Sequence, residues 1–181
     1  MENLHKKEKL EHMNQILSDL YVRDSVTGLY NRMGYQKLSI SYFTIMREKK
    51  MPVLVMFIDL DRLKYINDTF GHEYGDFAIV SIAKAMLKHC DADAIAARTG
   101  GDEFIVLEGA KDEESGRVLA QKIRTELSKT QRAMQLPFDL SASIGAVVAH
   151  PGEENVLESY VKRAEMLMYE EKAEKKVSRD S

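Results

Sequence analysis

Four groups of side chains in this 181-residue chain have the types and spacing to do chemistry. Asp59 ends an apolar run, Val53-Leu54-Val55-Met56-Phe57-Ile58, and Asp61 follows two places later. A carboxylate at the end of a buried strand must be solvated, paired or bound to a cation. Asp61 also suits the cap of a following helix, with Asp59 facing water. Further on, Gly100-Gly101 forms a turn bare of side chains, and Asp102-Glu103 follow at once. That is either an ordinary hairpin with two exposed acids or a place where a bulky ligand can approach the backbone. If this hairpin lies beside the Asp59 strand, three carboxylates meet at one sheet edge. Hard oxygens clustered in that way suit Mg²⁺, which is held by one or two carboxylates plus substrate phosphates.

The other two groups lie in helical surroundings. Lys172 continues the apolar stripe Val161, Ala164, Met168, and Lys176 follows one turn later on the same face. They are two snorkelling lysines at a helix C-terminus or, beside a magnesium site, two cations for phosphate. Asn67 and Asp76 flank a turn bracketed by Gly71 and Gly75. They are an Asx turn and a first-turn acid, or a base reader. A carboxylate can accept from N1–H and N2–H of guanine, and an amide can donate to O6. Adenine presents an acceptor at N1, so such a pair selects guanine.

These groups need a sheet to hold the carboxylates and helices to bring up the lysines. The spacing predicts helices over residues 1–22, Asn31–Lys49, Leu63–Phe70, around Phe77, Val80, Ala83 and Leu87, over Asp112–Lys129 with Val118 inside, and from Glu153 onward. Strands are expected over Val53–Ile58, Ala94–Arg98 and Glu103–Leu107, and as one long strand or a pair over Phe138–Ala149. A hairpin across Gly100-Gly101 implies antiparallel pairing, so the fold class is α+β. Leu10, Met13, Leu17 and Leu20 form a two-heptad seam, the pattern of a capping helix or of the end of a longer dimerising helix.

Composition narrows the classes. Hydrophobic residues make up 44% and charged residues 30%, as in a globular domain. Cys90 is the only cysteine, so neither a disulfide framework nor a thiolate metal cluster is available, and a cytoplasmic setting is expected. The net charge of −3 argues against a nucleic-acid polymer as partner. The longest apolar run is too short to be a membrane segment, and the first residues lack the apolar core of a signal peptide. There is no Gly-x-x-x-x-Gly-Lys-Ser/Thr loop, no Gly-x-Ser-x-Gly elbow and no His-x-x-x-His pair.

The residues also resemble a known family, the GGDEF domains or diguanylate cyclases of bacterial signalling. Asp24-Ser25-Val26-Thr27-Gly28-Leu29-Tyr30-Asn31-Arg32 is similar to the opening D-x-L-T-G-L-x-N-R. Phe57 to Asp68 is similar to the I-D-x-D-x-F-K-x-I-N-D segment, and Phe70-Gly71-His72-Glu73-Tyr74-Gly75-Asp76 to F-G-H-x-x-G-D. Gly100 to Phe104 is the name-giving motif, and Ser143-Ile144-Gly145 and Ala164 to Lys172 match the last strand and helix. The likeness covers residues 23–177, leaving an N-terminal signalling helix, 1–22, and a tail, 178–181.

The resemblance implies a palm-like, mostly antiparallel sheet of about five strands flanked by helices. It implies condensation of two GTP to cyclic di-GMP with release of two pyrophosphates, by attack of one 3′-OH on the α-phosphorus of the other. Asp59, Asp102 and the Leu60 carbonyl would hold Mg²⁺ or Mn²⁺, two metals assisting the attack, with Glu103 beside them. Asn67 and Asp76 would read guanine, and Lys64, Lys172 and Lys176 would meet phosphate. His72, Gly100 and Gly101 fall on the substrate side of the same motifs. Each domain would hold one GTP, so a homodimer is expected, governed by an upstream sensor through the N-terminal helix. The chain departs from the family's Y-x-x-K-x-x-G-R-N ending, here Tyr169 to Val177, where Lys176 replaces an arginine and offers a point charge without bidentate geometry. Val26 and Leu63 are conservative changes from Leu and Phe. An inhibitory R-x-x-D site would fall on Asp91 and Ala94, so feedback through it is expected to be absent. Two other readings stand beside an active cyclase: a GTP-binding regulatory module without turnover, and a cyclase making a mixed or mononucleotide product.

Overall fold

Strand β1, Val53–Leu60, is buried at all eight positions. In a computed structural model, which describes residues 21–153 and 156–180, it lies inside a sheet of order β2-β3-β1-β4. The others are β2, Ile95–Arg98, β3, Glu103–Gly109, and β4, Ala142–Ala149. Every ladder is antiparallel. Among the described residues five helices flank the sheet: α1, Arg32–Glu48, α2, Leu63–Phe70, α3, His72–His89, α4, Ser115–Ala133, and α5, Leu157–Asp180.

The period-two alternation of a strand explains why β1 is apolar throughout. Leu54, Met56 and Ile58 join one core with Ile82 and Met86 of α3 and Leu119 and Ile123 of α4. Val53, Val55 and Phe57 join the other with Phe43 and Met46 of α1 and Tyr160, Ala164 and Met168 of α5. Both faces are therefore covered, and each large side chain fully buried there contributes about 1.5–3 kcal/mol. Helix α5 comes close to β4 because position 145 is glycine: a Cβ there would collide with the Ala164 carbonyl and the Met168 amide. That contact sets the height and phase of the helix that carries Lys172.

Several expectations shift in detail. The described residues form four strands against about five. Residues 138–141 stay off the ladder: Pro137 has no N–H to donate, and the Asp139 carboxylate accepts from the Gln131 amide. Phe138 and Leu140 are still buried. Helix α3 buries Ala78, Ile79, Ser81, Ile82, Ala83, Ala85 and Met86, whereas Leu87 is 57% exposed. Small residues let the helix lie close to its neighbours, so bulk does not mark the inner face. Val118 is likewise exposed, and α5 begins at Leu157 and runs through residues 178–180, which were expected to be a tail. The seam residues Leu10 to Leu20 lie outside the described residues. No helix among the described residues is long and apolar enough to cross a membrane.

Candidate functional site

Sheet register builds the centre of the site. Asp59 stands opposite Glu103 on one side and Ser143 on the other. Asp102 directly precedes β3, and its carbonyl accepts from the Leu60 amide at 2.9 Å. The hairpin carrying Gly100-Gly101 thus does lie beside the Asp59 strand, and the backbone of Asp102 and Glu103 runs next to the end of β1. The turn does not use left-handed glycine: positive φ occurs at Gly28 and Gly71. What Gly100 supplies is room, because a Cβ there would sit 2.6 Å from Glu103 Oε2.

Asp59 is buried, and Lys172 reaches across from α5 to donate to its Oδ1 at 2.7 Å. Burial pushes the Asp59 carboxyl up, the Lys172 hydrogen bond pulls it down, and the Asp102 charge pushes it up again; the net direction is up. Burial works against the charge of Lys172, but Asp59 outweighs it and holds the ammonium protonated. One ammonium therefore leaves Asp59 short of positive charge, which is the condition a divalent cation relieves. The donors at hand, Asp59, Asp102, Glu103 and backbone carbonyls, are all hard oxygens. No preformed cage of three or more ligating side chains exists among the described residues.

Asp61 departs from the capping reading drawn for it. It is neither solvated nor a helix cap: the residue before α2 is Arg62, at φ 61° and without a side-chain capping bond. Its buried carboxylate accepts from Ser141 Oγ and Ser143 Oγ, both at 2.7 Å, and from Lys175 Nζ at 3.1 Å. Burial acts to raise its pKa, and these three donors reverse that and hold it below the usual value.

The base-reading candidates sit on α2 and α3. Asn67 is half-buried and packs against Gly75, where a Cβ would collide with its Oδ1. This brings Asn67 within one residue of the exposed Asp76. Lys64 and His72 are exposed on the same two helices, and Lys176 is exposed on α5. Lys175, which the residue pattern did not single out, is the α5 residue turned toward the strand ends beside Lys172. Arg98 was also missed. Its guanidinium donates to the Gly101 carbonyl at 2.8 Å and reaches Asp24, tying the opening turn to the Gly-Gly hairpin. An arginine at the end of a strand two residues before a glycine pair was the available signal.

Comparison with known proteins places the chain in a family. A sequence-family model, "Diguanylate cyclase, GGDEF domain", matches residues 21–178. Diguanylate cyclase VdcA of Vibrio cholerae is 34% identical over 153 residues, 82% of this chain and 43% of that protein. Cyclic di-GMP phosphodiesterase NbdA of Pseudomonas aeruginosa is 27% identical over 91% of this chain and 21% of its own length. The chain thus spans less than half the length of these curated relatives. Among solved structures, a microbial GGDEF domain interacting with cyclic di-GMP is 29% identical with a TM-score of 0.71, covering 84% of this chain and 94% of that one. The coiled coil and GGDEF domain of DgcB from Caulobacter crescentus is similar in fold, with a TM-score of 0.77 at 22% identity over 95% of this chain and 91% of that one.

Proposed function

The chain belongs to the GGDEF family of diguanylate cyclase domains, and we propose that it is a cyclase half-site that joins two GTP into cyclic di-GMP and releases two pyrophosphates. The observation that carries this reading is the register that sets Asp59 beside Asp102 and Glu103, with the Lys172 ammonium at the same edge.

Asp59, Asp102 and the Leu60 carbonyl would hold a divalent ion, Mg²⁺ or Mn²⁺, with Glu103 beside it. When bound, such ions lower the pKa of an attacking hydroxyl and stabilise charge on the phosphate. Lys172 then acquires a second role, because a carboxylate with another counter-charge releases its ammonium toward phosphate oxygens. Lys64 and Lys176, both exposed, add charge at the rim. Gly100 and Gly101 leave the hairpin backbone open to the triphosphate. Asn67 and Asp76 orient guanine, with His72 on the same side. A domain with one nucleotide offers one hydroxyl and one α-phosphorus to different partners, so two copies must face each other. Residues 1–22 would set that pairing under an upstream sensor, in a cytoplasmic signalling protein.

A second reading, a GTP-binding module without turnover, is favoured by Lys176 in place of the family's arginine and by the match to a protein named for phosphodiesterase activity. Incubating demonstrably dimeric protein with GTP and Mg²⁺ separates the two. The cyclase reading expects cyclic di-GMP and pyrophosphate in a 1:2 ratio. GTP binding without product from a dimer supports the module instead.

A further inference from the structure

Helix α5 grips the edge of the sheet through a lysine that the family's pattern does not have. Where that pattern reads glycine, this chain has Lys175. Its ammonium donates to the Ala142 carbonyl at 2.7 Å, Asp61 Oδ2 at 3.1 Å and Ser143 Oγ at 3.3 Å. One turn earlier, Glu171 pairs with Lys175 at 2.7 Å through Oε1. Its other oxygen accepts from Arg124 at 2.6 Å and from the Ile144 amide at 3.3 Å. Ala142 and Ile144 lie on the free side of edge strand β4, where backbone groups need partners.

We propose that Lys175 is a positioning residue for the divalent-ion segment, acting through Asp61 and Ser143 on Asp59 and Leu60. The inference rests on the cyclase reading of the same site. Ser143 is the β4 partner of Asp59, and Ala142 is the partner of Leu60. The lysine therefore bonds the two residues that flank the proposed metal ligands across the ladder, together with the buried carboxylate that follows them. It also stands three residues beyond Lys172, so the same clamp sets how far Lys172 reaches toward Asp59. A chain with glycine there would leave this junction to Asp61 and the two serines alone. Groups that orient the ligands of a metal affect its affinity by about 10–100-fold when removed.

The geometry makes a prediction opposite in sign to that of a bystander. A cation near a metal site repels the ion, so deleting a mere neighbour would tighten binding. Deleting a positioning residue weakens it. The test is Mn²⁺ affinity, read by electron paramagnetic resonance, of the whole chain saturated with 3′-deoxy-GTP, which binds without reacting. Lys175→Met is expected to weaken Mn²⁺ by about 10-fold. Lys175→Arg keeps the charge but cannot converge on the same three acceptors, and is expected to restore little of the loss. Ser143→Ala, which removes the hydroxyl's two hydrogen bonds, to Asp61 and from Lys175, and no charge, gives the same direction at smaller size and serves if Lys175→Met does not fold. Turnover of GTP should show a raised Mg²⁺ requirement in Lys175→Met, with the KM for GTP within about twofold of the parent's, since the base-reading residues lie on other helices. Unchanged or tighter Mn²⁺ binding in both Lys175→Met and Ser143→Ala overturns the assignment. Absence of Mn²⁺ binding in the parent chain instead sinks the metal-site reading on which it stands.

Discussion

Asp59 and Glu108 lie toward opposite ends of the same antiparallel strand pair, Asp59 opposite Glu103 and Glu108 opposite Leu54. Both are less than a tenth exposed. Burial raises both carboxyls. Their company differs. Asp59 faces Lys172, with Lys175 close by on Asp61. Glu108 accepts from the Asp91 amide at 3.0 Å, which pulls its pKa down, the charges of Asp91 and Asp93 push it up, and Lys122 adds the smallest pull down. Next to it burial, helped by the same acids, pushes the Cys90 thiol and the Tyr42 hydroxyl up to about 12. Desolvation alone therefore does not make a site on this sheet. Counter-charge distinguishes one end from the other.

The largest expected effect breaks the first end. Asp59→Asn should lower cyclic di-GMP synthesis by about 10³-fold, the scale of losing electrostatic stabilisation at a reacting phosphate. Chelation of divalent ions should stop the parent enzyme and excess Mg²⁺ restore it; turnover that survives chelation would remove the metal from the reading. Next in size is base choice. Asp76→Ser should loosen preference for GTP over ATP by about 10–100-fold in kcat/KM, because a site built to bond N1–H and N2–H discriminates through those bonds. Unchanged selectivity would move the guanine contact elsewhere.

The acidic end carries the positions at which the family's inhibitory motif would fall. With Asp91 and Ala94 there, product should inhibit only by competing with GTP, as an initial-rate plot will show. Asp91→Arg combined with Ala94→Asp should add a non-competitive component. The smallest effect concerns Glu108 itself. A carboxyl raised by folding contributes stability that is complete below its unfolded value near 4.5 and is lost as pH rises through the folded one. Glu108→Gln removes that loss while keeping an acceptor for the Asp91 amide. It should stabilise the fold by about 1 kcal/mol at pH 8, or about 2–4 °C in Tm. The gain should fade as the pH is lowered toward 4.5, and activity should be unaffected.

Much of this was legible locally. Asn31 caps α1 through its side chain and Lys49 closes it, where the sequence placed the helix bounds. The apolar run before Asp59 forms the central strand, and the Gly-Gly hairpin joins two antiparallel strands. Asp59, Asp102, Glu103 and Lys172 stood out because a charge at the end of a buried strand, or on an apolar helical stripe, conflicts with its surroundings. That conflict is written in neighbouring residues.

The partners of those charges are not. Asp61 read as a helix cap because Ser141 and Ser143 lie 80 and 82 residues away and Lys175 lies 114 away. Helical periodicity made Lys176 the companion of Lys172, since residues four apart share a face. In the fold Lys172 and Lys175, three residues apart, both bond the sheet end, on the helix that packs closely at Gly145. Residue types and their spacing determined which groups could do chemistry and which elements carry them. Strand register and one helix–strand contact decided which charges meet, since those depend on packing between segments that the sequence holds far apart.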